Sequence, residues 1–278
     1  MRIAGLLFVA AASLWTHASW GQSSDARSII ARAVAADDHS DRLARDYTYK
    51  IRNEVRELDS KGAIRNTHTT LDEVLYIGGK QYFRPLEKDG KPIPAAQAAK
   101  EQTKLDRAAA EASRMSDAER EKRLAAAERE RVKNREEDQD IPDAFDFKLL
   151  GDDTISGRST YRISATPRSA YHGKGRNIFS SIEATVWIDK QDYNLAKFEA
   201  EVLKTFSIGW FLARISAGTH ISYEMMRVGA PGQDGLWVPQ AVSLKASARL
   251  GLIKRVNVEQ DVKFSDYRKF QTDSRIVE

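Results

Sequence analysis

From Ile182 to Phe270 apolar and polar residues alternate with a period of two, strand after strand. Such a run restricts the chain to folds built on a large antiparallel sheet. Ile182 to Ile188 is the first strand, and Asp189-Lys-Gln-Asp192 turns the chain. Ala196, Phe198, Ala200 and Val202 then share one face, with Lys197, Glu199 and Glu201 on the other. Two longer runs follow, Ile215 to Val228 and Trp237 to Leu250, and Ile253 to Tyr267 closes the series. Gly229-Ala-Pro-Gly-Gln-Asp-Gly235 and Gly251 separate them as the turns of a meander. A sheet of this extent must cover its apolar face with helices, with itself or with a bound apolar molecule.

The remaining 181 N-terminal positions supply the cover and further strands. Residues 24–45 read as a helix that Ser24 caps, with Ile29, Ile30, Ala33 and Val34 as an apolar stripe and Leu43 continuing it. Asp37 to Ser40 interrupts it. Asp46 to Leu58 and Ile64 to Ile77 form a hairpin around Asp59-Ser-Lys-Gly62. Tyr47, Tyr49, Ile51 and Val55 lie on one face of its first strand, and Thr48, Lys50, Arg52, Glu54 and Arg56 on the wet one. Gln81 to Pro85 is a short strand. Ala95 to Asp138 is rich in Ala, Glu, Lys and Arg, which argues helix, and Ser116 with Glu119 is a capping box that starts a second helix after Met115. This segment, polar nearly all round, reads as a protruding helical insertion supported by ion pairs, or as a docking surface for a partner. Ile141-Pro142 ends it. Two strands follow, from Phe145 and from Ser159, and Pro167 to Ser181 reads as a loop.

Arg2, the apolar run Ile3 to Leu14 and the small residues near Ala18 to Gly21 have the build of a secretory signal peptide, residues 1–21, cut between Ala18 and Gln22. The run is too short to span a bilayer, so an exported chain without a transmembrane anchor is expected. Residues 22–278 then form one domain, with residues 95–138 as its insertion. The chain has no cysteine, hence no disulfide, no thiolate zinc site and no lipidated cysteine. Its 41% hydrophobic residues suffice for a core, and a net charge of +4 spread over interspersed residues gives no basic face for nucleic acid.

No catalytic constellation emerges. His39, His68, His172 and His220 are isolated, without metal-ligand spacing. No serine sits in a nucleophile elbow, Asp152-Asp153 is turn chemistry, and Gly173-Lys-Gly175 is too short to cradle phosphate. No cofactor fingerprint is present, and an enzyme ranks last. What is unusual is apolar: Phe206, Ile208, Trp210, Phe211 and Leu212 occupy a connection where polar residues are the norm. Two readings stand, a further strand or core-packed loop, or the rim of an apolar cavity. In the second, Tyr223, Met225, Val242, Leu244, Val258, Val262 and Phe264 would line the cavity.

Several of these segments form a familiar pattern. Asp46-Tyr-Thr-Tyr-Lys-Ile51, then Val186-Trp-Ile-Asp189 with Leu195-Ala-Lys-Phe198, then Gly235-Leu-Trp-Val-Pro239, resembles the periplasmic LolA/LolB/RseB-like lipoprotein-sorting superfamily. The resemblance spans about Asp46 to Phe270 and omits Ala95 to Asp138. It implies an α+β fold, a strongly curved, half-open antiparallel barrel with helices on its concave side. Members bind acyl chains of lipoproteins or other lipids in the hollow, and some relatives act through a protein partner. The charged insertion departs from the short carriers, and the arginine tied to lid closure in them has no counterpart by motif. The expectation is therefore a periplasmic, non-catalytic carrier of lipid or lipoprotein acyl chains. The alternative is an envelope interaction module that binds a protein through residues 95–138; oligomeric state is open.

Overall fold

A computed structural model describes residues 25–36, 47–173, 175–208, 213–229, 235–250 and 254–269. Helix α1 (25–36) is followed by strands β1 (Tyr47–Leu58), β2 (Ile64–Ile77), β3 (Lys80–Lys88) and β4 (Lys91–Pro92). Helices α2 (Ala95–Arg114), α3 (Asp117–Asp138) and the single turn α4 (Ile141–Ala144) come next. The rest is strand except for one helical turn: β5 (Phe145–Ile155), β6 (Arg158–Pro167), α5 (Arg176–Phe179), β7 (Ile182–Asp189), β8 (Leu195–Val202), β9 (Phe206–Ile208), β10 (Ala213–Ile215), β11 (His220–Val228), β12 (Leu236–Leu250) and β13 (Lys254–Lys269).

The fold is α+β, built on one antiparallel sheet in the order β4-β3-β2-β1-β13-β12-β11-β8-β7-β6-β5, with the β9–β10 hairpin attached beside the C-terminal half of β12. The sheet does not close, because β4 and β5 remain at opposite edges. Register shifts interrupt the ladders at Thr48/Lys50, Leu71/Asp72, Leu149/Gly151, Trp187/Ile188 and Glu224/Met225. An extra residue at such a site bends its strand and increases the twist, which turns a wide sheet into a curved wall.

Local chemistry accounts for the hairpins. Asp59 accepts hydrogen bonds from the N–H groups of Lys61 and Ala63 at 2.8 and 2.9 Å, and Gly62 takes a φ of 84° between β1 and β2. The capping box closes as its spacing predicts. The Ser116 N–H and hydroxyl both donate to Glu119, and the Glu119 N–H donates back to the Ser116 hydroxyl, so α3 begins at Asp117. Strand β3 is longer than expected and runs through Pro85, which pairs with Asp72 next to the Leu71/Asp72 irregularity, a position a proline tolerates.

The helical segment is not a free excursion. It joins β4 at one edge of the sheet to β5 at the other. Ten strand spacings amount to roughly 48 Å around the sheet, and helices of 20 and 22 residues measure about 30 and 33 Å. Helix α2 rests on β2 and β3 and buries Leu105 and Ala108, whereas Leu124 and Val132 of α3 stay exposed. The Arg123 guanidinium donates to the Gly78 carbonyl at 3.0 Å and ties the start of α3 to the β2–β3 turn.

The main core sits at the β5 edge. Ala26, Ile29, Ile30 and Ala33 of α1 bury their stripe against Phe145, Phe147, Ile163, Ala165 and Ile188. Leu43 and Asp37 to Ser40 lie outside the described residues.

Candidate functional site

Pairing register extends the apolar face of that core across the sheet as far as β1. One row of paired residues reads Ala184, Ala200, Ile221, Leu244, Gln260, Val55; the next reads Val186, Phe198, Tyr223, Val242, Val262, Asn53. Phe264 and Ile51 pair in the row beyond, and Tyr49 faces Val74. Over β5, β6 and β7 these rows lie beneath α1. Over β11, β12, β13 and β1 no described helix covers them, and Ile221, Tyr223, Val242, Leu244, Val258, Val262, Phe264, Ile51 and Val55 are only half-buried. This stretch is the candidate site.

Of the residues expected to line it, Tyr223, Val242, Leu244, Val258, Val262 and Phe264 share this face by register. Met225 is buried in a second cluster with Trp187, Ala196 and Trp237, against which Tyr223 of the open face also packs. Phe206 and Ile208 are strand rather than connection: β9 pairs with β10, and Phe206 stands opposite Ile215, which faces Ala248 of β12. Phe206 is half-buried and extends the sheet beside the open face; the Ile208 side chain and Trp210, Phe211 and Leu212 lie outside the described residues.

Sequence reasoning missed five residues of the site, Tyr49, Tyr76, Tyr267 and the hydrogen-bonded Asn53 and Gln260. Tyr49 stacks on Tyr267 at 5.1 Å between ring centroids and lies 6.2 Å from Phe264. The Tyr267 hydroxyl donates to the Pro239 carbonyl at 2.6 Å, and Gln81 donates to the Tyr49 hydroxyl at 3.2 Å. Burial, reinforced by neighbouring phenols, pushes both Tyr49 and Tyr267 well above the usual phenol range, so both remain neutral. Gln260 donates to Asn53 at 2.8 Å, which satisfies one amide bond inside the apolar rows. The signal was the bulge near Asp266, whose φ of 55° turns Tyr267 onto the face of Phe264 against simple alternation.

The opposite face is a charge ladder. Arg56 pairs with Glu54, Glu259 and Asp261, and Lys245 pairs with Glu259 at 3.0 Å. The Ser243 hydroxyl and Arg56 hold the Asp261 carboxyl below the usual range. A groove of about 320 Å³ runs between Arg56, His220, Ser222, Lys245 and Glu259. Its described cations already have carboxylate partners, so it reads as a solvated outer wall.

Three of the segments that carry the family resemblance, those around Trp187, Ala196 and Trp237, meet in space. Arg158 makes two bonds to the buried Asp189, at 2.6 and 2.8 Å, and a third to Asp192 at 3.0 Å. The Trp237 indole N–H donates to Asp192 at 3.0 Å, and that of Trp187 donates to Asp153 at 2.9 Å. Burial raises the Asp189 carboxyl, but Arg158 and the N–H groups of Asp192 and Gln191 outweigh it and hold the group low. The tryptophans and aspartates thus lock the β7–β8 turn to β12. They are framework, not a binding site. Among the described residues no cluster of three or more His, Cys, Asp or Glu is arranged to hold a metal ion.

No protein-family model matches the chain, and no curated protein matches it. Solved structures do. A DUF1329 family protein from Desulfovibrio piger is 9% identical with a TM-score of 0.31, covering 91% of this chain and 95% of its own. A LolA superfamily protein from Nitrosomonas europaea is 11% identical at TM-score 0.28, covering 90% and 94%. The Pseudomonas aeruginosa MucA/MucB complex gives a chain 12% identical at TM-score 0.22, covering 89% and 100%. These neighbours include the superfamily that the sequence resembles, and at such identities and scores they carry no argument about function.

Proposed function

We propose that this chain is a non-catalytic protein of the cell envelope, exported by an N-terminal signal peptide, that shelters acyl chains of lipids or lipoproteins against its open apolar face. The observation that supports this is the contrast along one sheet. The rows buried by α1 over β5–β7 continue, largely apolar but broken by the Asn53–Gln260 pair, over β11, β12, β13 and β1 without a described helix above them. Each methylene removed from water contributes about 0.8 kcal/mol. Ten therefore contribute about 8 kcal/mol, comparable with the roughly 4–15 kcal/mol that association costs. Long chains should bind and short ones should not. Sequestration of this kind needs no nucleophile, metal or cofactor.

The test is native mass spectrometry and solvent extraction of protein purified from its own envelope, followed by titration with acyl chains of increasing length. Co-purified lipid and an affinity that rises with length are expected. A protein that carries none and takes up none, even when lipoprotein is offered, would refute the reading.

Exposed Leu124 and Val132 on α3 favour a second reading, in which the helical segment docks a protein partner. Because α2 and α3 join the two edges of the sheet, deletion is a poor test and surface substitution a better one. Leu124→Gln with Val132→Gln should leave lipid uptake unchanged; a collapse of uptake would assign α3 to the carrier role.

A further inference from the structure

Strand pairing brings together three arginines that the sequence keeps apart. Arg214 of β10 stands directly opposite Arg249 of β12, and Arg249 directly opposite Arg255 of β13. Positions paired in this way lie roughly 5 Å apart on one face of a sheet. Alternation puts the row on the charged face of Lys245 and Arg56, away from the hollow. Like charges directly opposite one another destabilise a ladder, and the strands offer nothing to offset them. β9, β10 and β12 contain no acidic residue. Along β13 the first is Glu259, four residues from Arg255 and already paired with Arg56 and Lys245.

The row lies at the end of the sheet where β8 and β12 finish and β2, β7 and β13 begin. Three large aliphatic side chains are exposed at that same end, Ile64 at 57%, Leu203 at 41% and Ile178 at 40%. Ile64 opens β2 and pairs with Leu58, which pairs with Asn257, two residues from Arg255. Leu203 follows β8, and its N–H donates to the Ser181 carbonyl at 2.7 Å, which sets it beside the helical turn that carries Ile178. Exposed Lys61, Arg65, Arg176 and Lys204 lie within three residues of these aliphatics. Of the acids nearby, Asp59 accepts from the N–H groups of Lys61 and Ala63, Glu201 is 4.0 Å from His220, and Glu183 is half-buried in β7. A soluble polyanion or an acidic protein surface would meet the arginines but leave the aliphatics in water. An anionic bilayer matches both, with phosphates for the cations and the acyl boundary for leucine and isoleucine.

We infer that this end of the sheet is a docking surface for an anionic phospholipid bilayer, in which the row Arg214, Arg249 and Arg255 supplies the charge and Ile64, Ile178 and Leu203 supply the apolar contact. It uses the opposite face and one rim, and so stands independently of the acyl-chain reading.

The experiment is co-sedimentation of the chain lacking residues 1–21 with vesicles of phosphatidylcholine alone, and with about a third of it replaced by phosphatidylglycerol. Binding to the anionic vesicles should be at least about tenfold tighter and should weaken as salt is raised. Arg249→Gln with Arg255→Gln should reduce it about tenfold or more, at roughly fivefold for each cation near a charged surface. The melting temperature should not fall, because like-charged neighbours are being removed. Lys88→Gln with Lys91→Gln takes the same charge from the far edge of the sheet and should change binding about twofold or less. Leu203→Gln should weaken binding by a factor that salt leaves unchanged. Equal affinity for neutral and anionic vesicles, or equal losses in the two double variants, overturns the inference. So does a protein that ignores vesicles yet binds soluble polyphosphate through the same arginines. Should the double arginine variant not fold, Arg214→Gln and the comparison of the two vesicle types still decide.

Discussion

The two ends of this sheet share one alternation pattern but differ in what lies on top. Over β5–β7 the apolar rows are closed by Ala26, Ile29, Ile30 and Ala33, and Ile163 is wholly buried. Over β11–β13 and β1 residues of the same kind, Val242, Val262 and Ile51, are half-exposed. A strand pattern therefore states which face is apolar, and the position of a single short helix decides whether that face is buried core or left half-exposed. Stability should reside at one end and binding at the other.

The strongest challenge to this division is the lock at the closed end. Asp189→Ala strands Arg158 beside a buried turn and should cost about 3–5 kcal/mol, read as a fall in denaturation midpoint, with lipid affinity unchanged for the folded fraction. Next comes a matched pair. Ile163→Ala should cost about 2–5 kcal/mol through the cavity it leaves. Val262→Ala should cost about 1 kcal/mol or less, yet weaken lipid binding; equal destabilisation by both would erase the distinction between core and site.

A pH series sharpens the same contrast. The Asp189 carboxyl is held low in the folded protein, so its contribution is complete above the unfolded value of about 4 and disappears as pH falls through the depressed folded value. Asp189→Asn should flatten the acid side of a melting-temperature profile. Lipid affinity should follow neither, since Tyr49 and Tyr267 stay neutral across that range. The smallest effect expected is at α3: Ser116→Ala should lower its helicity by circular dichroism and leave the melting temperature of the sheet in place.

Local features were readable because they are written in adjacent residues. The Asp59–Gly62 hairpin, the stripe of α1 and the Ser116–Glu119 box each follow from a few neighbouring side chains. Long-range pairing was not readable in the same way. Nothing in Tyr47 to Leu58 announces β13 as its partner, and nothing in Ala95 to Asp138 reveals that it joins opposite edges. Some residue placements slipped. Period-two counting assigns Met225 to the hollow, and the structure buries it with Trp187 and Trp237 in a cluster that Tyr223 also packs against. The same counting overlooks Tyr267, which the bulge at Asp266 restores. Phe206 was conspicuous as an apolar residue in a turn, and the turn is a hairpin with its own ladder.

The seam between β1 and β13 joins positions some 220 residues apart. During synthesis the first hairpin therefore waits, one flank bare, until nearly all of the polypeptide exists, and only then does the wall become continuous. Such an order of assembly is slow. It also makes the final strand the keystone, so that trimming a dozen residues from its end would disassemble far more than it removes.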